Sequence, residues 1–139
     1  MSTYPEYMVA PMRQEMTDVG FKELKTAQDV ESEVKKEGTT MLFVNSVCGC
    51  AAGSARPGVR SAIEKSSKKP SNLTTVFAGM EKEAVDKARE MMVPYPPSSP
   101  AIALFKNGEL VHMIERMQIE GRSADMISAA LEQAFEEYC

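Results

Sequence analysis

The sequence lacks any long apolar run: nothing in it approaches the ~20 consecutive apolar residues that span a bilayer, so no membrane partner is expected. Its N-terminus, Met1-Ser2-Thr3-Tyr4-Pro5-Glu6, has neither the basic start nor the apolar stretch of a secretory signal, which points to a cytoplasmic location. Positive charge is scarce as well. Lys and Arg number 16 against 20 Asp and Glu, for a net charge of -4 and a pI near 5.1. Phosphate recognition begins with clustered positive potential, and the one dense basic stretch, Lys65 to Lys69, is short and ends at Pro70. No nucleic-acid partner is expected. Cysteines number three; an odd count cannot close into a disulfide framework, and a reducing compartment would not favour one. Neither a Ser-His-Asp set, a phosphate loop nor a paired-carboxylate arrangement stands out, and Asp and Glu are scattered along helix faces where solvation is their ordinary role. Internal repeats, low-complexity tails and flexible linkers are missing too.

What is present fits one domain over residues 1–139. A chain of 139 residues with 43% hydrophobic and 26% charged side chains buries roughly two-thirds of its unfolded surface and has a globular, not a disordered, balance. Thr3 and Glu6 have capping-box spacing, and Met8, Met12 and Met16 recur every four residues. Together they predict an amphipathic N-terminal helix, kinked by Pro11. Phe21 to Leu24 reads as a short strand, followed by a helix opened by Thr26, carrying Ala27, Val30 and Val34 on one face and stopped by Gly38. Thr40 to Val47 is the most apolar run. It lacks the alternation of a half-solvated strand, so it should be central and covered on both faces.

Next comes Cys48-Gly49-Cys50, then Val59, Ala62 and Ile63 at helical spacing, with Pro57 expected to bend this helix about one turn beyond the pair. A strand over Leu73 to Ala78 and a charged helix over Glu81 to Met92 follow. The segment Val93-Pro94-Tyr95-Pro96-Pro97-Ser98-Ser99-Pro100 holds four of the eight prolines and must be a stiff loop. Ala101 to Phe105, the Asn107-Gly108 turn and Leu110 to Ile114 form a hairpin. Ser123 caps a last helix with Met126, Ile127, Ala130, Leu131, Ala134, Phe135 and Tyr138 at helical spacing. This order gives an α/β protein of thioredoxin topology: a three-layer sandwich, its mixed central sheet flanked by helices, with an extra N-terminal helix.

The chemistry should lie at Cys48 and Cys50, where strand becomes helix. A helix N-terminus offers unsatisfied N–H groups and roughly half a positive charge, which stabilise a thiolate, and Cys48 is first in that field. With one residue between the sulfurs, Cys50 is close enough to attack a mixed disulfide on Cys48, or is spared if the small ring is strained. Gly49 relieves some of that strain by tolerating backbone angles other residues avoid. An internal disulfide would be labile and oxidising, a transient state. Ala51, Ala52, Gly53 and Ser54 leave room for a bulky thiol adduct. Arg56 and Arg60 are positioned to pair with a carboxylate on such an adduct, although two arginines at this spacing more often form a solvated face. In this topology the loop before the hairpin faces the cysteines, so Ser99 and Pro100 belong to the substrate groove, and a cis Ser99-Pro100 bond fits there.

Two rival roles exist for the pair. Free cysteines often merely pack, but packing explains neither the strand-to-helix placement nor the small neighbours. A C-x-C pair also supplies two thiolates to zinc or an iron-sulfur cluster, yet only Cys139 and His112 remain as further soft ligands, so no metal site is assigned. Cys139 is an auxiliary resolving thiol only if the last helix ends near the pair; a terminal residue is usually mobile and solvated.

The motif Asn45-Ser46-Val47-Cys48-Gly49-Cys50-Ala51-Ala52-Gly53 and the loop Pro96-Pro97-Ser98-Ser99-Pro100 closely resemble the bacilliredoxin family. So do Pro11-Met12-Arg13-Gln14-Glu15, Thr75-Val76-Phe77-Ala78-Gly79, Ile119-Glu120-Gly121 and the ending Leu131-Glu132-Gln133-Ala134-Phe135-Glu136 with terminal Cys139. The resemblance implies a thiol-disulfide oxidoreductase active in oxidative stress, which removes bacillithiol from cytoplasmic proteins that carry it as a mixed disulfide. Cys48 would be the attacking thiol, taking bacillithiol onto its own sulfur, and Cys50 the resolving or modulating one. A second thiol, from a low-molecular-weight thiol or a recycling reductase, would regenerate the enzyme. The resemblance implies no bound cofactor; bacillithiol enters as substrate and adduct. A general disulfide isomerase or reductase is the alternative within the same chemistry, and a thiolate metal binder the alternative outside it.

Overall fold

The computed structural model describes residues 2–139. Its strands form one five-stranded sheet in the order β1-β3-β2-β4-β5, where β1 is Lys22–Glu23, β2 Thr39–Asn45, β3 Asn72–Phe77, β4 Ala101–Lys106 and β5 Glu109–Ile114. The pairs β1/β3 and β3/β2 are parallel, and β2/β4 and β4/β5 antiparallel. This is the expected thioredoxin topology. β2 is central, and all seven of its residues are buried, as the lack of polar alternation across Met41-Leu42-Phe43-Val44 requires.

Alternation along β2 divides the core into two layers. Met41 and Phe43 point to one face, with Val59 and Ile63 of α3 (Arg56–Lys65) and Ile127, Leu131 and Phe135 of α6 (Ala124–Tyr138). Leu42 and Val44 point to the other, with Val30 and Val34 of α2 (Ala27–Val34) and Ala84, Val85 and Ala88 of α4 (Lys82–Met91). Each such large apolar side chain contributes about 1.5–3 kcal/mol on burial. Thr26 and Ser123 cap α2 and α6 as expected, accepting from the amides of Asp29 and Met126. Gly58 is required where α3 crosses α6: a Cβ there would stand 2.7 Å from Ile127 Cβ and 3.0 Å from the Ala124 carbonyl. The hairpin turn places Asn107 at φ 51° and Gly108 at φ 84°, the left-handed pair that such a turn needs.

Three local expectations are corrected. Helix α1 (Glu6–Thr17) is not opened by a Thr3–Glu6 capping box; extended Pro5 precedes it with no side-chain cap, and Thr3 instead donates its amide to Gly79 O at 2.6 Å. Its buried stripe is Val9, Arg13 and Met16, the true 3.6-residue face, while Met8 is exposed. Pro11 sits inside α1 without ending it. In the helix after the cysteines the irregularity lies nearer the pair than expected. Ala51–Ala55 form a π-helical turn in which the Arg56 amide donates to Ala51 O. Pro57 has no N–H for the carbonyl of residue 53, and its ring crowds that carbonyl, so the wider turn precedes it. The sequence reading also missed α5 (Arg116–Ile119), a single turn held by a capping box in which the Glu115 amide donates to Gln118 Oε1 at 2.9 Å. A Glu-x-x-Gln signal was there to find.

Candidate functional site

At the end of β2, side chains replace the lost ladder bonds. The Ser46 amide donates to Asn45 Oδ1 at 2.8 Å, and the Cys48 amide donates to Ser46 Oγ at 3.1 Å. These short loops turn the chain back on itself, and helical structure starts directly beyond Cys48, whose carbonyl accepts from the amides of Ala51 and Ala52. Cys48 thus occupies the dipole-facing start of the helical segment. Both cysteines are free and half-buried, and their sulfurs lie 2.7 Å apart.

Burial raises the cost of ionising Cys48. It is outweighed by hydrogen bonds from Cys50, Ser46 and the Ala51 amide and by the charge of Arg116, so the thiol lies below its ordinary value. Cys50 moves the other way: burial, its bond to Cys48 and the Cys48 charge push it up, with Glu120 adding to the rise against Arg116. The two thiols are therefore pushed apart in acidity, Cys48 toward thiolate and Cys50 toward thiol, and thiolate character is what thiol exchange depends on.

Under this loop lies Arg56, only 2% exposed. Its Nη1 donates to Asn45 Oδ1 at 3.0 Å and to Ser46 O at 2.6 Å, and its Nε to Glu15 Oε2 at 3.1 Å. The expectation that Arg56 belongs to a solvated face or meets an adduct is overturned, because the tertiary fold closes α1 over it. Arg60 lines a separate surface depression with Glu15 and Glu64. Helix α1 also receives Asn45 Nδ2 on Met12 O at 3.2 Å, so the extra helix buttresses the cysteine loop.

Pairing of Val44 with Ala101 sets the preceding residues of β4 beside the cysteine loop. The Ser99-Pro100 bond is cis, as is Val93-Pro94. Arg116, which the sequence reading did not single out, donates from Nη1 to Ser99 O at 3.2 Å and from Nε to Glu120. Gly49 is exposed, has no positive φ, and would bring an added Cβ within 4 Å of nothing. In the dithiol state its role is open space, not an unusual backbone angle.

Cys139 ends α6 beside Thr39 and Lys106. It therefore stands at the start of β2, whereas Cys48 follows its end, a strand length of about 20 Å. Within one chain it does not meet the pair. His112 packs on Tyr138 with ring centroids 6.0 Å apart. Among the described residues no group of three or more His, Cys, Asp or Glu side chains is arranged to hold a metal.

Comparison with known proteins decides the family. The family described as Disulphide isomerase matches residues 4–139. A bacilliredoxin of Cytophaga hutchinsonii is 61% identical, over 96% of this chain and 98% of its own. The chain is a member of the bacilliredoxin family. A second bacilliredoxin, from Geobacillus kaustophilus, is 52% identical over 98% of this chain and 97% of its own. Among solved structures, oxidised mitochondrial thioredoxin 3 of Saccharomyces cerevisiae superposes with a TM-score of 0.58 at 18% identity, covering 88% of this chain and 98% of that one. Fasciola hepatica thioredoxin gives 0.59 at 17%, covering 86% and 100%. These two likenesses establish the thioredoxin fold. Bacilliredoxin membership together with that fold makes the protein a thiol-disulfide oxidoreductase. No helix among the described residues is long and apolar enough to cross a membrane.

Proposed function

We propose that the protein removes bacillithiol from protein mixed disulfides, with Cys48 as the attacking thiol. The supporting observation is a half-exposed sulfur at the start of a helical segment, biased toward thiolate and backed by Cys50 at 2.7 Å; the name bacilliredoxin, carried by its relatives, points to the substrate. The Cys48 thiolate attacks the sulfur of the bacillithiol half. A bond forms between Cys48 and bacillithiol as the client–bacillithiol bond breaks, and the electron pair leaves on the client sulfur. Regeneration follows one of two balanced routes. A second bacillithiol thiolate attacks the capped Cys48, releasing bacillithiol disulfide. Alternatively Cys50 loses its proton and attacks Cys48, releasing bacillithiol and leaving an internal disulfide that a recycling reductase returns with two electrons. Gly49, Ser99 and Pro100 border the groove in which the capped client lies. The clients are cytoplasmic proteins capped during oxidative stress.

A second reading, a general disulfide isomerase, is favoured by the family description and uses the same thiolate. Incubation with a bacillithiolated client, followed by intact mass, separates the two. Transfer of the cap to Cys48, lost in Cys48→Ala and retained in Cys50→Ala, supports removal of bacillithiol. An unmoved cap with recovery of a scrambled disulfide protein supports isomerisation instead.

A further inference from the structure

Attack on a mixed disulfide has a choice of two sulfurs, and the outcome differs: one leaves the cap on the enzyme, the other leaves the client on it. Nothing in the dithiol itself makes that choice. Arg116 stands where it can. Its amide donates to Ser98 Oγ at 3.4 Å and its Nη1 to Ser99 O at 3.2 Å, anchoring it on the loop that borders the cysteines. Its charge acts on both sulfurs. The side chain remains 44% exposed. Among the described residues its recorded bonds, to Ser99 O and Glu120, engage two of the five guanidinium donors. The remaining edge matches a carboxylate in the planar, two-point manner that suits arginine. Arg56, by contrast, is enclosed and committed to Asn45, Ser46 and Glu15.

We propose that Arg116 is a specificity-determining residue that binds the carboxylate of a small-thiol cap and so presents the cap's sulfur, not the client's, to Cys48. This deepens the bacillithiol reading and rests on it for the reaction. With the carboxylate held against the guanidinium, the cap occupies the groove between the cysteines and the Ser99-Pro100 loop. Attack then forms the Cys48–cap bond, breaks the cap–client bond and expels the client as thiolate. Glu120 is the resident partner that an incoming carboxylate displaces or shares. A neutral cap has no such hold, and either of its two sulfurs is open to attack.

The test uses one client protein carrying bacillithiol, mercaptosuccinate or mercaptoethanol on the same cysteine. Cys50→Ala traps the first adduct, and its intact mass distinguishes enzyme–cap from enzyme–client. With Arg116 present, the two carboxylate caps should give mainly enzyme–cap. Adding Arg116→Gln should cut the second-order rate constant of this first transfer by about tenfold for both, the scale of one charge-assisted contact, and should produce substantial enzyme–client adduct. Arg116→Lys should fall between. The mercaptoethanol-capped client should keep its adduct ratio and slow only by the common factor set by the Cys48 thiolate fraction, read from its alkylation pH profile. An equal loss on all three caps with unchanged ratios would overturn the inference and leave Arg116 as a modulator of sulfur charge. Should mercaptosuccinate show the Arg116 dependence while bacillithiol is not transferred at all, the inference stands and the bacillithiol reading falls.

Discussion

Replacing Arg56 with Met tests whether a buried cation holds the reactive loop. The thioether keeps most of the packing of the arginine stem but removes three bonds, to Asn45 Oδ1, Ser46 O and Glu15. Asn45 Oδ1 retains the Ser46 amide, so its loss is small. Ser46 O, in a residue 6% exposed, is left without its 2.6 Å donor, at about 1–3 kcal/mol. The Glu15 side chain is 37% exposed and rehydrates, so its share is under about 1 kcal/mol. Removal of a desolvated charge offsets part of this. The net expectation is a destabilisation of about 1–3 kcal/mol. With a urea m-value of about 1.5 kcal/mol/M, within the usual range, the midpoint should fall by ~0.7–2 M. Ser46 also supports the Cys48 amide and thiol. Loosening it should raise the thiol toward the ordinary cysteine value and slow iodoacetamide alkylation near neutral pH, as the thiolate fraction falls. A variant that unfolds within about 0.5 kcal/mol of the parent and alkylates at the same rate would refute the idea that this guanidinium holds the loop.

Further outcomes are expected elsewhere. Cys50→Ala removes the hydrogen bond that favours the Cys48 thiolate, so the alkylation rate, which rises with pH as the thiolate forms, should reach half-maximum at higher pH than in the parent. An unmoved midpoint would separate Cys50 from Cys48 activation. Glu33, held down to about 2 against its burial by Lys36, Lys22 and Asn72, binds fewer protons folded than unfolded. Its contribution is therefore complete above the unfolded value near 4.3 and lost as pH falls toward 2. Because both lysines are more than half exposed, Glu33→Gln should cost about 1–2 kcal/mol at pH 7 and flatten acid denaturation between those limits, as followed by circular dichroism. Gly58→Ala should destabilise by about 1–3 kcal/mol through the 2.7 Å approach to Ile127, whereas Gly49→Ala, which meets nothing, should leave the urea midpoint unchanged or slightly raised.

Much of the architecture is readable without coordinates because its determinants are local. The apolar run Met41-Leu42-Phe43-Val44 of β2, the Asn107-Gly108 turn, the Thr26 and Ser123 caps and the periodicity of α6 each specify an element within a few residues. Where two local signals competed, the reading failed. Thr3 and Glu6 have capping spacing, but Pro5 between them enforces an extended entry. The four-residue methionine repeat drew attention from Val9, Arg13 and Met16, which the helix actually buries. The Pro57 effect lies nearer the cysteines than the sequence predicts, because the carbonyl a proline disturbs lies before it in the chain.

The sequence by itself determined the chemistry: a C-x-C pair at a strand-to-helix junction is set by neighbouring residues, and so is the order in which the two thiols meet the helix field. Only the tertiary structure decided which charges serve them. Arg56 meets Glu15 across 41 residues of chain and is buried by it, and Arg116 reaches the Ser99 carbonyl across 17. An arginine has the same composition and periodicity whether it is solvated, enclosed or turned toward a sulfur. Its role depends on where the backbone brings distant acceptors, and that is a property of the packed fold.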